Sequence, residues 1–115
     1  MARVKRGVIA HKKRERLLRL TKGFKWGRKS KERAAKEALL HALSRAFKGR
    51  KEKKRNFRAL WQAQIGAAAR EAGMSYSRFM GALKKKNILL DRKALADLAR
   101  NNKEVFSKIL EEVKS

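Results

Sequence analysis

The side chains able to do acid–base or metal chemistry are scarce in this sequence. Two histidines, His11 and His41, are present among 115 residues, with ten carboxylates and no cysteine. His11 lies among basic residues and His41 among apolar ones. No carboxylate is expected beside either imidazole from its spacing. No HExxH pair, no glycine-rich phosphate loop with its lysine and no plausible metal-ligand set occurs. The absence of cysteine removes thiolate zinc sites, thiol nucleophiles and disulfides. The sequence therefore points away from an enzyme and implies no cofactor, no metal and no small-molecule substrate.

What the sequence has in abundance is cation. Lys and Arg number 34, giving a formal charge of +24. A compact monomer with that excess repels itself, and a dense polyanion relieves it. Nucleic acid suits this best, because each phosphate carries a full charge and binding releases its counterions. The cations are clustered. Arg3, Lys5 and Arg6 form the first group, and Lys12, Lys13, Arg14 and Arg16 the second. They read either as a solvated tail or as an arm that orders among phosphates. Phe24 and Trp26 follow, flanked by Lys22, Lys25, Arg28 and Lys29. Such aromatics either pack locally or stack on unpaired bases. Arg50, Lys51, Lys53, Lys54, Arg55 and Arg58 make the densest run, relieved only by Glu52. A solvated helix face would carry both signs, so this run is expected to meet phosphate, with Arg able to grip two oxygens at once. Tyr76, Ser77 and Arg78 could donate hydrogen bonds to sugar or phosphate. Lys84, Lys85 and Lys86 fit either a helix's last turn or an RNA contact. Trp61, among apolar neighbours, reads as core rather than as an RNA platform.

The elements that must position these groups are helices. The chain has no proline and is rich in Ala, Leu, Lys, Arg and Glu. A first helix is expected over about 10–21, ending near Gly23, and residues 22–29 with two glycines read as a turn. Ser30 is a reasonable N-cap for a second helix. Its stripe is Ala35, Ala38, Leu39, Ala42, Leu43, Ala46 and Phe47, narrow enough to pack on one side only. Gly49 either weakens or bends that helix. A further stripe of Phe57, Leu60, Trp61, Ile65, Ala68 and Ala69 ends at Gly73, which suits a C′ position. Ser75, Asp91 and Asn102 then cap three short helices. They carry Phe79, Met80 and Leu83, then Leu95, Leu98 and Ala99, then Val105, Phe106, Ile109, Leu110 and Val113. Glu111 and Glu112 read as a solvated face.

The charge divides the chain. Residues 1–58 hold 23 of the 34 Lys and Arg but four of the ten Asp and Glu. The reading is all-α, with a basic, mainly helical extension over 1–58 and a compact helical domain over 59–115. No segment reaches the roughly 18 uncharged apolar residues of a membrane span. The N-terminus lacks the apolar run of a signal peptide. A cytoplasmic protein without membrane contact is expected.

Several segments together carry a resemblance. They are Met1-Ala-Arg-Val-Lys-Arg-Gly7, Leu20-Thr-Lys-Gly-Phe24, Ala35-Lys-Glu-Ala38, Lys54-Arg-Asn-Phe-Arg58 with Leu60-Trp61, Ala67-Ala-Ala-Arg-Glu71, Gly73-Met-Ser-Tyr-Ser-Arg-Phe79, and Leu90-Asp-Arg-Lys93 with Leu95-Ala-Asp-Leu98. In this order and spacing the chain resembles bacterial large-subunit ribosomal protein twenty from end to end. It departs from the usual pattern at Trp26-Gly27, Lys31-Glu32 and Asn56. The resemblance implies a helical extension buried in large-subunit ribosomal RNA and a compact helical C-terminal domain. It also implies an early role in subunit assembly, with no part in peptide-bond chemistry, and neighbouring ribosomal proteins as partners. Some members repress translation of their own messenger RNA, which adds that messenger to the partners to be tested. The matching positions for RNA contact are the opening basic segment, residues 22–29, residues 50–58 and residues 75–78. Two other classes share the charge: a DNA-architectural protein, and a membrane-active cationic protein, for which the Ala-rich stripe is a poor fit.

Overall fold

The computed structural model describes residues 1–115. It is all-helical: α1 spans Arg6–Leu20, a short 3-10 helix Trp26–Arg28, α2 Glu32–Glu71, α3 Tyr76–Lys85, α4 Arg92–Asn101 and α5 Lys103–Lys114. The chain forms two compact units, Met1–Lys51 and Glu52–Ser115. Helix α2 contributes residues to both.

The first unit has almost no core. Thr21 and Ala35 are its only buried residues. Thr21 ends α1, and its hydroxyl donates to the Leu18 carbonyl at 3.2 Å, which satisfies it without solvent. Helix α1 begins four residues before the expected start at 10. Gly7, Val8 and Ile9 are poor helix formers, but each costs only about 1 kcal/mol or less, and a helix already nucleated propagates through them. Ser30 does not cap α2. The 3-10 turn draws the Lys29, Ser30 and Lys31 amides onto the carbonyls of Trp26 and Gly27. The chain is therefore released one residue later, and the Lys31 carbonyl accepts the first α-helical bond, from Ala35 at 2.8 Å. Gly49 does not break α2, which runs unbroken to Glu71.

The second unit holds the core: Ile65, Ala69, Phe79, Leu83, Leu95, Ala96, Ala99, Phe106, Leu110 and Val113. At its centre Phe79 and Phe106 lie 5.5 Å apart, tilted by 50°, a favoured aromatic geometry. The expected stripes supply most of it. Ala96 joins the core unforeseen, whereas Val105 is 44% exposed and lies off the buried face of α5.

Local chemistry sets the helix ends here. At the end of α2 the Met74 amide bonds to Ala69 O and the Gly73 amide to Arg70 O, with Gly73 at φ +79°. This is the paired-bond Schellman closure that a left-handed residue permits. Helix α3 closes the same way on Asn87 at φ +56°, through Ile88 to Leu83 and Asn87 to Lys84. Ser75 Oγ accepts from the Arg78 amide, and Asp91 Oδ1 from the Ala94 amide at 2.7 Å. Asn102 is the single residue between α4 and α5, and it works through its backbone rather than its side chain. Its amide donates to Leu98 O and its carbonyl accepts from the Phe106 amide.

Candidate nucleic-acid interface

Every Lys and Arg of residues 1–58 is exposed. In the first unit this follows directly from the small core, which offers no interior to hide a side chain in. Arg3 and Lys5 precede α1. Arg6, Lys12, Lys13, Arg14 and Arg16 ride on it. Arg14 is partly occupied: one Nη lies 3.7 Å from a Glu32 carboxylate oxygen, and the other donates to Ser30 O at 3.4 Å. It thereby ties α1 to the start of α2. Both partners remain about half exposed, so the pair adds little stability.

The aromatics of the turn separate. Phe24 is half-buried and borders a groove with Arg28, Ala34, Ala38, His41 and Ala42. Trp26 is 83% exposed at φ +55°, and Lys25 Nζ lies 5.9 Å from its ring centre. A bulky residue in the left-handed region is a strained one. Here the strain coincides with an indole held out to solvent among Lys22, Lys25, Arg28 and Lys29.

Contrary to the expectation from sequence, a carboxylate does lie beside a histidine. His11 Nε2 lies 3.2 Å from Glu15 Oε1, four residues on along α1, the spacing that brings helix side chains together. Glu37 and His41 share that spacing and line the same groove. The His11 and Glu15 side chains are 68% and 58% exposed, which describes a solvated surface contact rather than an enclosed acid–base dyad. No group of three His, Cys, Asp or Glu is placed to hold a metal ion. No helix is long and apolar enough to cross a membrane.

In the second unit the later part of the Arg50–Arg58 run meets cations distant in sequence. Lys54, Arg55 and Arg58 occur at helix spacing on α2. Together with Trp61, Asp91, Arg92 and Lys93 they line a cleft of about 410 Å³. Arg92 and Lys93 occupy the first turn of α4, where cations oppose the helix dipole. Asp91, the one carboxylate present, is engaged in capping. Five cations thus converge around one carboxylate. The signal was visible as Asp91-Arg92-Lys93, a cap followed by two cations. Its meeting with Lys54, Arg55 and Arg58 is a tertiary fact.

Arg92 is also tethered: its Nε donates to the Tyr76 hydroxyl at 2.9 Å. Tyr76 is half-buried and packs against the core, so its hydroxyl positions Arg92. Ser77 Oγ lies 3.4 Å from Ser75 Oγ at the exposed start of α3, and the Arg78 side chain is exposed beside them. Arg50, Lys51 and Lys53 are exposed on α2, with Lys51 Nζ 4.8 Å from the Phe47 ring centre. Lys86 turns away from any such role. Its ammonium reaches the Glu112 carbonyl and the Ser115 hydroxyl, closing the end of α5.

The chain is all-helical and strongly cationic with a clustered basic surface, the electrostatic footprint common to nucleic-acid-binding proteins. The family model for ribosomal protein L20 matches residues 3–109, and the chain belongs to that family. The family is one of structural, non-enzymatic constituents of the large ribosomal subunit that bind ribosomal RNA.

Proposed function

We propose that this protein pins folded large-subunit ribosomal RNA early in subunit assembly, the extension of residues 1–58 lying among converging RNA helices and the domain of residues 59–115 recognising a particular RNA shape. The observation that carries this reading is that all 23 Lys and Arg of residues 1–58 are exposed, with only two buried residues in the first unit. A segment whose stability does not come from its own interior is suited to ordering against a partner. Cations spread along it cancel the repulsion between RNA helices brought close.

The contacts proposed are Arg3, Lys5, Arg6, Lys12, Lys13, Arg14 and Arg16 from the opening segment, and Lys22, Lys25, Arg28 and Lys29 with Phe24 and Trp26 from the turn. Arg50, Lys51, Lys53, Lys54, Arg55 and Arg58 follow from α2, and Tyr76, Ser77 and Arg78 from the start of α3. Neighbouring ribosomal proteins complete the site, in the cytoplasm of a bacterium. Binding to the protein's own messenger, with translational repression, follows if that messenger copies the ribosomal site.

Filter binding to large-subunit ribosomal RNA tests this, with small-subunit RNA and random duplex DNA as competitors over a salt series. A site that survives physiological salt while competitors are shed supports the reading. Equal competition by all three, with binding lost as salt rises, refutes it and favours a DNA-architectural protein.

A further inference from the structure

A second groove in the Glu52–Ser115 unit adjoins the five-cation cleft. Its volume is about 470 Å³, and Phe57, Leu60, Trp61 and Gln64 of α2 face Lys93, Ala94, Asp97, Arg100 and Asn101 of α4 across it. Phe57 and Leu60 are 45% and 48% exposed, although the stripe they belong to is the one that enters the core at Ile65. Phe57 and Trp61 stand with ring centres 6.0 Å apart, tilted by 36°. Trp61 packs against the core on one side and lines both the groove and the cleft.

Asp91 and Lys93 line both hollows; beyond that shared pair the groove has Asp97 and Arg100, and the cleft Lys54, Arg55, Arg58 and Arg92. In the apolar groove Lys93 and Arg100 are matched by Asp91 and Asp97. Both carboxylates are occupied, Asp91 by the Ala94 amide and Asp97 by the Asn101 side-chain amide at 2.6 Å. The neighbouring cleft gathers Lys54, Arg55, Arg58, Arg92 and Lys93 against Asp91 alone. A neutral, aromatic-walled groove beside a strongly positive cleft matches a nucleotide, which joins a flat neutral base to anionic phosphates. A membrane or an acidic peptide would need the charge spread over both. The carboxamides of Gln64 and Asn101 can meet the donors and acceptors on a base edge.

We propose that the groove formed by Phe57, Leu60 and Trp61 takes one unpaired RNA base, stacked on the aromatic pair, with its flanking phosphates in the adjacent cleft of Lys54, Arg55, Arg58, Arg92 and Lys93. This rests on the RNA-binding reading and adds to it a position where an unstacked nucleotide is recognised. Trp61 then serves as core on one face and platform on the other.

The test uses the full chain carrying Trp26→Phe, so that Trp61 is the remaining tryptophan of the two, and every comparison is made within that background. Single-stranded oligoadenylate and a blunt RNA duplex of matched length are the probes. Oligoadenylate should quench Trp61 emission at saturation and the duplex should not. Adding Phe57→Ala should weaken oligoadenylate binding by roughly 5- to 150-fold, the range for loss of one base–aromatic stack, with the salt slope unchanged. Adding Lys93→Ala should lower that slope by about 0.7. Thermal melting of each variant separates loss of fold from loss of contact. If both probes bind with a steep salt slope while Trp61 emission stays constant and Phe57→Ala is indifferent, the base site is overturned and RNA binding stands. If neither probe nor ribosomal RNA binds, both fall.

Discussion

Replacing Arg50, Lys54 and Arg55 together by Ala tests whether the densest basic run works through phosphates. All three are exposed on α2 and none belongs to the core. Alanine is the best helix former, so α2 should not weaken, and near-equal melting curves would show that the fold is kept. Each phosphate contact contributes about 0.9 to the slope of log affinity against log salt on duplex RNA, taking the duplex DNA value, and about 0.7 on a single strand. Losing three contacts should therefore flatten the slope by about 2.7 or 2.1. Between about 50 and 200 mM salt the affinity gap between the parent and the variant should narrow by about 40-fold or about 20-fold respectively. Filter binding to large-subunit ribosomal RNA at four or five salt concentrations gives both slopes. Parallel lines would refute the argument even if affinity fell, because a uniform loss without a change of slope means that no counterion-releasing contact was removed.

Other expectations concern the scaffold. Phe79→Ala should destabilise the second unit by about 3–5 kcal/mol, read in urea unfolding, since Phe79 is fully buried against Phe106. Gly73→Ala forces an L side chain to φ +79° and should cost about 1–2 kcal/mol although nothing lies within 4 Å of the new Cβ; an unchanged denaturation midpoint would deny that the Schellman closure requires its left-handed residue. Gly49→Ala, also in open space but inside α2, should act oppositely, raising helical ellipticity and stabilising by about 0.5–1 kcal/mol. Asp91→Ala removes the cap bond to Ala94 and should cost about 1 kcal/mol. In RNA binding the same change should strengthen affinity, because it takes a negative charge from the cleft.

Features decided within a few residues were legible in the sequence. Ser75 and Asp91 cap because each has an oxygen three residues before an otherwise orphaned amide. Gly73 closes its helix because it tolerates positive φ. Ser30 has the same local credentials and fails. Its segment is already committed to a 3-10 turn anchored at Gly27, whose carbonyl takes the Ser30 and Lys31 amides. A capping residue acts only where the preceding chain is free to approach in an extended conformation. The i, i+4 spacing of His11 and Glu15 is written in the sequence, and the structure brings the two together.

The basic surface divides along the same line. Counting charges located the Arg50–Arg58 run, since a cation on an exposed helix has nowhere to go but solvent or a phosphate. Counting could not say that Lys54, Arg55 and Arg58 would be joined by Arg92 and Lys93, because those residues are separated by more than thirty positions and a packed core. That core sets the shape of the site. Ile65 and Ala69 of α2 share one core with Leu95 and Ala99 of α4, whereas Phe57 and Asp91 line an open groove. The stripe read as continuous from Phe57 to Ala69 thus serves two purposes. Its C-terminal part is buried in the domain, and its N-terminal part faces a groove. Periodicity alone gives both parts one pattern, and only the end of the packing distinguishes apolar residues that build the protein from those left to meet something else.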